Sequence, residues 1–132
     1  MTDKPPVGGR PPIIIDADLH QRLIAVAERA QAHLPKLATQ LLEEIERADL
    51  RPSTEMPPDV VTIGSEVTFK DSDRGLTQTV KIVFPSEANI DERRISILTP
   101  IGAALLGLSV GQRIDWEMAD GRITHLAVVD VR

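Results

Sequence analysis

Ser96-Ile97-Leu98-Thr99-Pro100-Ile101-Gly102-Ala103-Ala104-Leu105-Leu106-Gly107-Leu108-Ser109-Val110-Gly111-Gln112-Arg113-Ile114-Asp115-Trp116 reads as a strand end, a short helix and the start of another strand. Thr99 is suited to cap a helix, because its hydroxyl can accept a free backbone N–H of the first turn. Pro100 fits the first helical position, where no N–H is needed. A helix over Ile101 to Leu106 follows, closed by Gly107, which takes left-handed backbone without steric cost. Arg94 to Leu98 is a short strand before it. Gln112 to Met118 and Arg122 to Val131 alternate in strand fashion after it, joined across Asp120-Gly121, a strong hairpin signal.

Working back toward the N-terminus, Val67 and Phe69, with Val60 to Ile63, form one strand or a broken one. Asp71 to Gly75 has turn chemistry, and Gln78 to Phe84 is a further strand with Val80, Ile82 and Phe84 on one face. Prolines mark the divisions, since proline interrupts helix interiors and central strands. Pro5, Pro6, Pro11 and Pro12 place residues 1–12 in an arm read as disordered, and Pro52, Pro57 and Pro58 place 51–58 in a linker.

Between them, residues 13–50 are helical. Leu19, Leu23, Val26, Ala27 and Ala30 recur at helical spacing, as do Leu37, Leu41, Ile45 and Ala48 with Ala38 and Leu42 beside them. Asp16 or Asp18 can cap the first helix. Pro35 biases Leu34 away from helix and suits the first turn of a new one. The pattern predicts helices over 17–31 and 36–49, turning at Ala32 to Pro35. One long helix kinked at Pro35 is the rival, and it leaves both short stripes unpaired. The expected fold class is α+β: an antiparallel two-helix hairpin, then a mostly antiparallel sheet over 59–132 carrying one short helix. Because the hairpin satisfies its own apolar stripes, a monomer is expected.

The 132 residues carry 15 basic and 20 acidic side chains, a formal charge of -5. Such a surface repels phosphate backbones, and the aromatics are only Trp116, Phe69 and Phe84, too few for base stacking. Direct nucleic-acid binding is therefore not expected, and a protein partner is. No apolar run approaches the roughly 20 residues that span a bilayer, and Met1 to Pro12 lacks the apolar stretch of a secretory signal. The lack of cysteine fits a cytoplasmic setting.

The Thr99 to Gly107 block, with Val110-Gly111 opening the next strand, resembles the C-terminal signature of the GreA/GreB superfamily of transcription factors. Met56-Pro57-Pro58-Asp59-Val60-Val61-Thr62, Ser65-Glu66-Val67-Thr68-Phe69, Trp116-Glu117 and Thr124-His125-Leu126 are similar to its regulator of nucleoside diphosphate kinase group. The likeness covers 56–132 in motif and 13–50 in layout. It implies an FKBP-like C-terminal domain docking on the rim of the RNA polymerase secondary channel, and a coiled-coil hairpin pointing into that channel. On this resemblance Thr99, Pro100, Ile101, Gly102 and Leu105 are the expected partner-binding residues, and His33, Leu34, Pro35 and Lys36 the hairpin tip. Cleavage-stimulating members hold a catalytic metal with acidic tip residues. Here Ala32 to Lys36 offers no carboxylate, and Glu28 and Glu43 lie about a turn or more back. Each helix spans only about 22 Å, so the tip should stop short of the polymerase active centre.

The expected role is thus a non-catalytic regulator that binds the rim and competes with other channel-binding factors. Two alternatives are a Gre-type transcript-cleavage factor and an FKBP-like prolyl isomerase. The second needs an aromatic-lined pocket, whereas Phe69 and Phe84 are expected in the core. No Gly-x-x-x-x-Gly-Lys loop is present, so any effect on nucleoside diphosphate kinase is expected to be indirect. His20, His33 and His125 lack ligand spacing, and Asp71, Asp73 and Gly75 lack the rest of a calcium loop, so no metal or cofactor is expected. Ile101 and Leu105 read as core before interface. Glu43, Glu44 and Glu46 read as the wet face of a helix, with a Glu43–Arg47 pair.

Overall fold

The computed structural model describes residues 10–132. Its elements run β1 (Ile14–Asp16), α1 (His20–Ala30), α2 (Pro35–Arg47), β2 (Asp49–Arg51), β3 (Glu66–Asp71), β4 (Leu76–Val83), β5 (Arg94–Ser96), α3 (Pro100–Leu105), β6 (Arg113–Glu117) and β7 (Ile123–Val131). The expected class holds: a two-helix hairpin, then a sheet with one short helix.

The five-stranded sheet has the order β5-β4-β3-β7-β6, antiparallel except for the parallel pair β4 and β5. Alternation puts Val67 and Phe69, Val80 and Ile82, Ile114 and Trp116, and Leu126 and Val128 on one buried face. The β3–β7 register shifts between Thr68 and Phe69, whose partners are Asp130 and Val128. Val129 is the extra residue, unpaired and 48% exposed. At the hairpin turn Gly121 adopts φ +90°, and its N–H donates to the Met118 carbonyl at 2.9 Å.

Several expectations change in detail. Val60 to Ile63 is not a strand: Val60 makes an isolated bridge to Ser109, and the Val61 N–H donates to the Leu108 carbonyl at 2.8 Å. The expected linker starts inside β2, which pairs in parallel with β1. Three-residue strands carry almost no periodicity, and the whole helical hairpin separates these two. Asp16 does not cap α1, whose first turn follows Leu19 without a side-chain cap. Its carboxylate instead accepts the Asp18 N–H at 2.9 Å and the Ser53 hydroxyl at 2.6 Å.

The expected disordered arm is described from Arg10 onward, and residues 1–9 lie outside the described residues. Arg10 to Pro12 are tied to the fold. Arg47 Nη1 donates to the Pro11 carbonyl at 2.6 Å, and Gln112 Nε2 donates to that of Pro12 at 3.1 Å. Ile13, 2% exposed, rests on Gly107, where any Cβ would come within 2.9 Å of the Ile13 Cβ. With φ +87° as well, position 107 needs glycine on two counts.

The hairpin does not stand clear of the sheet. Leu23, Ala27, Leu41 and Ile45 share one apolar core with Phe69, Leu105, Ile114 and Trp116. Glu44, expected on the wet face, is 1% exposed. It pairs with Arg10 and with Arg47, whose Nη2 is 2.6 Å from Oε1 and whose Nε is 3.0 Å from Oε2. Arg47 thus takes Glu44, not Glu43. The helix turns Glu44 inward because Leu41, Glu44 and Ile45 lie on one face.

Candidate functional site

A groove of about 690 Å³ opens beside the start of α3, walled by Val80 of β4, Ile95 of β5, Ile90, Thr99, Pro100 and Ile101. Its walls follow from the turn between β5 and α3. The Thr99 hydroxyl accepts the Gly102 N–H at 3.1 Å and donates to the Ser96 carbonyl at 2.7 Å. The Leu98 N–H donates to the Ser96 hydroxyl at 2.9 Å. These bonds fold Ser96 to Gly102 so tightly that a Cβ on residue 102 would sit 2.2 Å from the Ser96 carbonyl oxygen. The turn presents Pro100 and Ile101 at the groove, half-buried, with no helical N–H lost at proline.

The five expected contact residues therefore divide. Thr99, Pro100 and Ile101 reach the groove. Gly102 and Leu105 are buried, Leu105 fully, so neither offers a surface to a partner. Sequence reasoning missed Ile90, a groove residue that is 86% exposed, and Arg93 and Arg94, which add positive charge to its wall. Arg93 holds φ +58°, a left-handed conformation unusual for a residue with a Cβ. A signal existed: Ile90 is a lone large apolar side chain among Glu87, Asn89, Asp91, Glu92 and Arg93.

The tip residues lie elsewhere. His33 and Leu34 occupy the loop between the helices, Leu34 being 43% exposed, and Pro35 opens α2. Lys36 Nζ lies 3.0 Å from Glu117 Oε2 and donates to the Met118 carbonyl at 3.1 Å, so the tip leans on the β6–β7 turn. A third polar feature pairs across β6 and β7: His125 Nδ1 is 2.7 Å from Asp115 Oδ1. That hydrogen bond raises the His125 pKa above its ordinary 6.5, with the charges of Asp115 and Asp73 adding to it and desolvation opposing. Among the described residues no three His, Cys, Asp or Glu side chains gather as a metal site would need, and no helix is long and apolar enough to cross a membrane.

Residues 56–132, the sheet with its short helix and groove, match the family model "Transcription elongation factor, GreA/GreB, C-term". The chain belongs to the GreA/GreB family. It is 40% identical over 123 residues to the regulator of nucleoside diphosphate kinase of Escherichia coli strain K12, covering 92% of this chain and 90% of that protein. It is 36% identical over 106 residues to transcription elongation factor GreA of Chloroflexus aggregans, covering 80% of this chain and 67% of that one. Among solved structures it is similar to the transcription elongation factor GreA/GreB from Nitrosomonas europaea. That likeness has a TM-score of 0.71 at 32% identity and covers 92% of this chain and 98% of the other.

Proposed function

We propose that this protein is a non-catalytic, cytoplasmic regulator that binds bacterial RNA polymerase. It docks its α3 groove at the secondary-channel rim and competes there with Gre-type factors. Kinship to GreA/GreB factors supports the partner class. The observation that carries the choice of surface is Ile90, 86% exposed beside Pro100 and Ile101 in one groove. A large aliphatic side chain left in water next to an apolar concavity gains by being covered. The kinase named in the similar Escherichia coli regulator would be affected indirectly, since the sequence carries no Gly-x-x-x-x-Gly-Lys phosphate loop.

Two observations weigh against the other activities. The tip, His33 to Lys36, carries no carboxylate of its own for a metal, and the Glu117 carboxylate beside it is taken by Lys36 at 3.0 Å. The groove wall contains no aromatic residue, and Phe69 and Phe84 are in the core, so nothing there grips a proline ring as an isomerase would.

The test is equilibrium binding of the purified chain to core polymerase, alone and with a Gre factor as competitor. Displaceable binding, weakened at least tenfold by Ile90→Asp, is the expected result. No binding at micromolar concentration, or binding indifferent to both the competitor and the substitution, would overturn the reading. Release of short 3′ fragments from a stalled elongation complex would return the chain to the cleavage class.

A further inference from the structure

The first half of β4 has a partner strand on one side only. It pairs with β3 from Leu76 to Lys81, but β5 meets it only from Lys81 to Val83. Ladder geometry fixes which groups are left over. The Lys81 N–H donates to the Arg93 carbonyl at 2.8 Å, toward β5, and the Ile82 N–H donates to the Ser65 carbonyl at 3.0 Å, on the β3 side. Backbone groups alternate sides along a strand, so Thr77 and Thr79 turn theirs the way Lys81 does, away from β3. Among the described residues no strand lies beside them on that edge.

Natural sheets guard an edge with charge, proline, a bulge or a covering segment. The chain guards β5 in this way: Asn89 bridges Arg94, each N–H donating to the other's carbonyl at 3.0 and 2.9 Å. Leu76 to Val80 has no such guard. It carries no charge and no proline, and its threonines and valine favour extended backbone. It pairs with β3 in unbroken register, so no bulge twists it away. This open stretch coincides with the α3 groove, whose wall includes Thr77 to Val80 along with Ile90, Ile95, Pro100 and Ile101.

We propose that the groove takes an extended segment of its partner as an added strand beside Thr77 to Val80, with apolar side chains alternating with acidic ones. This deepens the docking function above and rests on it for the identity of the partner. The added backbone bonds to the free groups of Thr77 and Thr79, and its alternate side chains fall on the two faces of the sheet. Those on the face of Val80 and Ile95 enter the apolar groove. The others stand on the face of Thr79, which Lys81 and its register partner Arg94 share. Arg94 is paired with Glu92 at 2.9 Å, whereas Lys81 and Arg93 are exposed and without an ion pair among the described residues. These cations favour carboxylates on the incoming strand. A second copy of this chain fits less well, since its own Leu76 to Val80 brings no carboxylate to them.

The test uses the isotope-labelled full chain, without polymerase, and a peptide alternating glutamate and valine, about seven residues long to span the free stretch. Saturable NMR shifts centred on the amides of Thr77, Thr79 and Arg93, with slowed hydrogen exchange at Thr77 and Thr79, are expected. Methylating the backbone nitrogens of either the glutamates or the valines separates strand addition from simple filling of the groove, because an added strand turns only one of these sets toward β4. One methylated peptide should bind like the parent peptide and the other at least about tenfold more weakly. Thr79→Pro removes an N–H at an edge where proline is tolerated, and it should weaken binding by a similar factor, while Thr79→Val should not. No saturable shift, or equal binding of the two methylated peptides, would overturn strand addition. A lysine–valine peptide that binds as tightly would overturn the acidic partner. Movement of the same amides with the chain's own concentration, and none with peptide, would give the edge to a second copy instead. A chain that binds polymerase displaceably but ignores the peptide keeps the docking function and loses the strand; one that binds only the peptide does the reverse.

Discussion

Gly102 approaches Ser96 so closely that the first carbon of any side chain at 102 would lie 2.2 Å from the Ser96 carbonyl oxygen. That oxygen also accepts the Thr99 hydroxyl, so it cannot retreat without losing the turn that presents Pro100 and Ile101. Gly102→Ala is expected to destabilise the protein by about 1–3 kcal/mol, the range for overpacking a closed site. Denaturant unfolding reads this directly, and an unchanged midpoint would contradict the geometry.

Thr99 acts through its hydroxyl, which both accepts and donates. Thr99→Ala should cost about 0.5–2 kcal/mol, the usual loss on removing a helix cap. Thr99→Ser, which keeps the oxygen, should recover most of that. If the two variants unfold alike, the cap contributes nothing.

Glu44 and Glu43 are neighbours with opposite expectations. The Glu44 side chain is 2% exposed, while that of Glu43 is 56% exposed and 3.9 Å from Arg10. Glu43→Ala should stay within about 0.5 kcal/mol of the parent. Glu44→Ala should cost clearly more, though less than the roughly 3–5 kcal/mol of a fully buried pair, because the partner arginines can still reach water. Chemical denaturation of both variants at low and high salt makes the comparison.

His125 should titrate above 6.5, since Asp115 favours its protonated form. A folded pKa raised above the unfolded one stabilises the protein when histidine is charged. The contribution is therefore complete below the unfolded pKa and is lost as pH rises through the folded value. The pair is exposed, so the effect on stability is small and the ring itself is the better reporter. A proton NMR titration should show the midpoint falling toward 6.5 in Asp115→Asn; no movement would mean that the 2.7 Å contact is absent in solution.

Much of this architecture is written in local chemistry. The central stripes of α1 and α2, the Thr99-Pro100 start and Gly107 end of α3, and the Asp120-Gly121 hairpin each depend on a few adjacent residues and lie where the pattern places them. The helix ends differ, since α1 begins at His20 and α2 ends at Arg47, which leaves Leu19 and Ala48 outside the helices. The site was less legible. Thr99, Pro100 and Ile101 were expected at a contact surface from the resemblance and do line the groove, but Ile90 and Arg93 come from a polar segment with no period to reveal them.

Backbone preference and apolar spacing are properties of short segments, so the residue order specifies the longer helices and strands, while the three-residue β1 and β2 form only because the fold pairs them across the hairpin. Three-dimensional packing alone decides matters that depend on residues far apart in the chain. Glu44 is surface by composition, yet it is interior because Arg10, 34 positions away, closes over it. Leu105 is a contact candidate by resemblance and a core residue by type, and the meeting of hairpin and sheet around it settles it as core. Lys36 is a free tip by sequence, yet it is bound because Glu117, 81 positions on, ends the strand that α2 lies beside. A charge's environment is set by whatever the fold brings within a few ångströms, and chain distance carries almost none of that information.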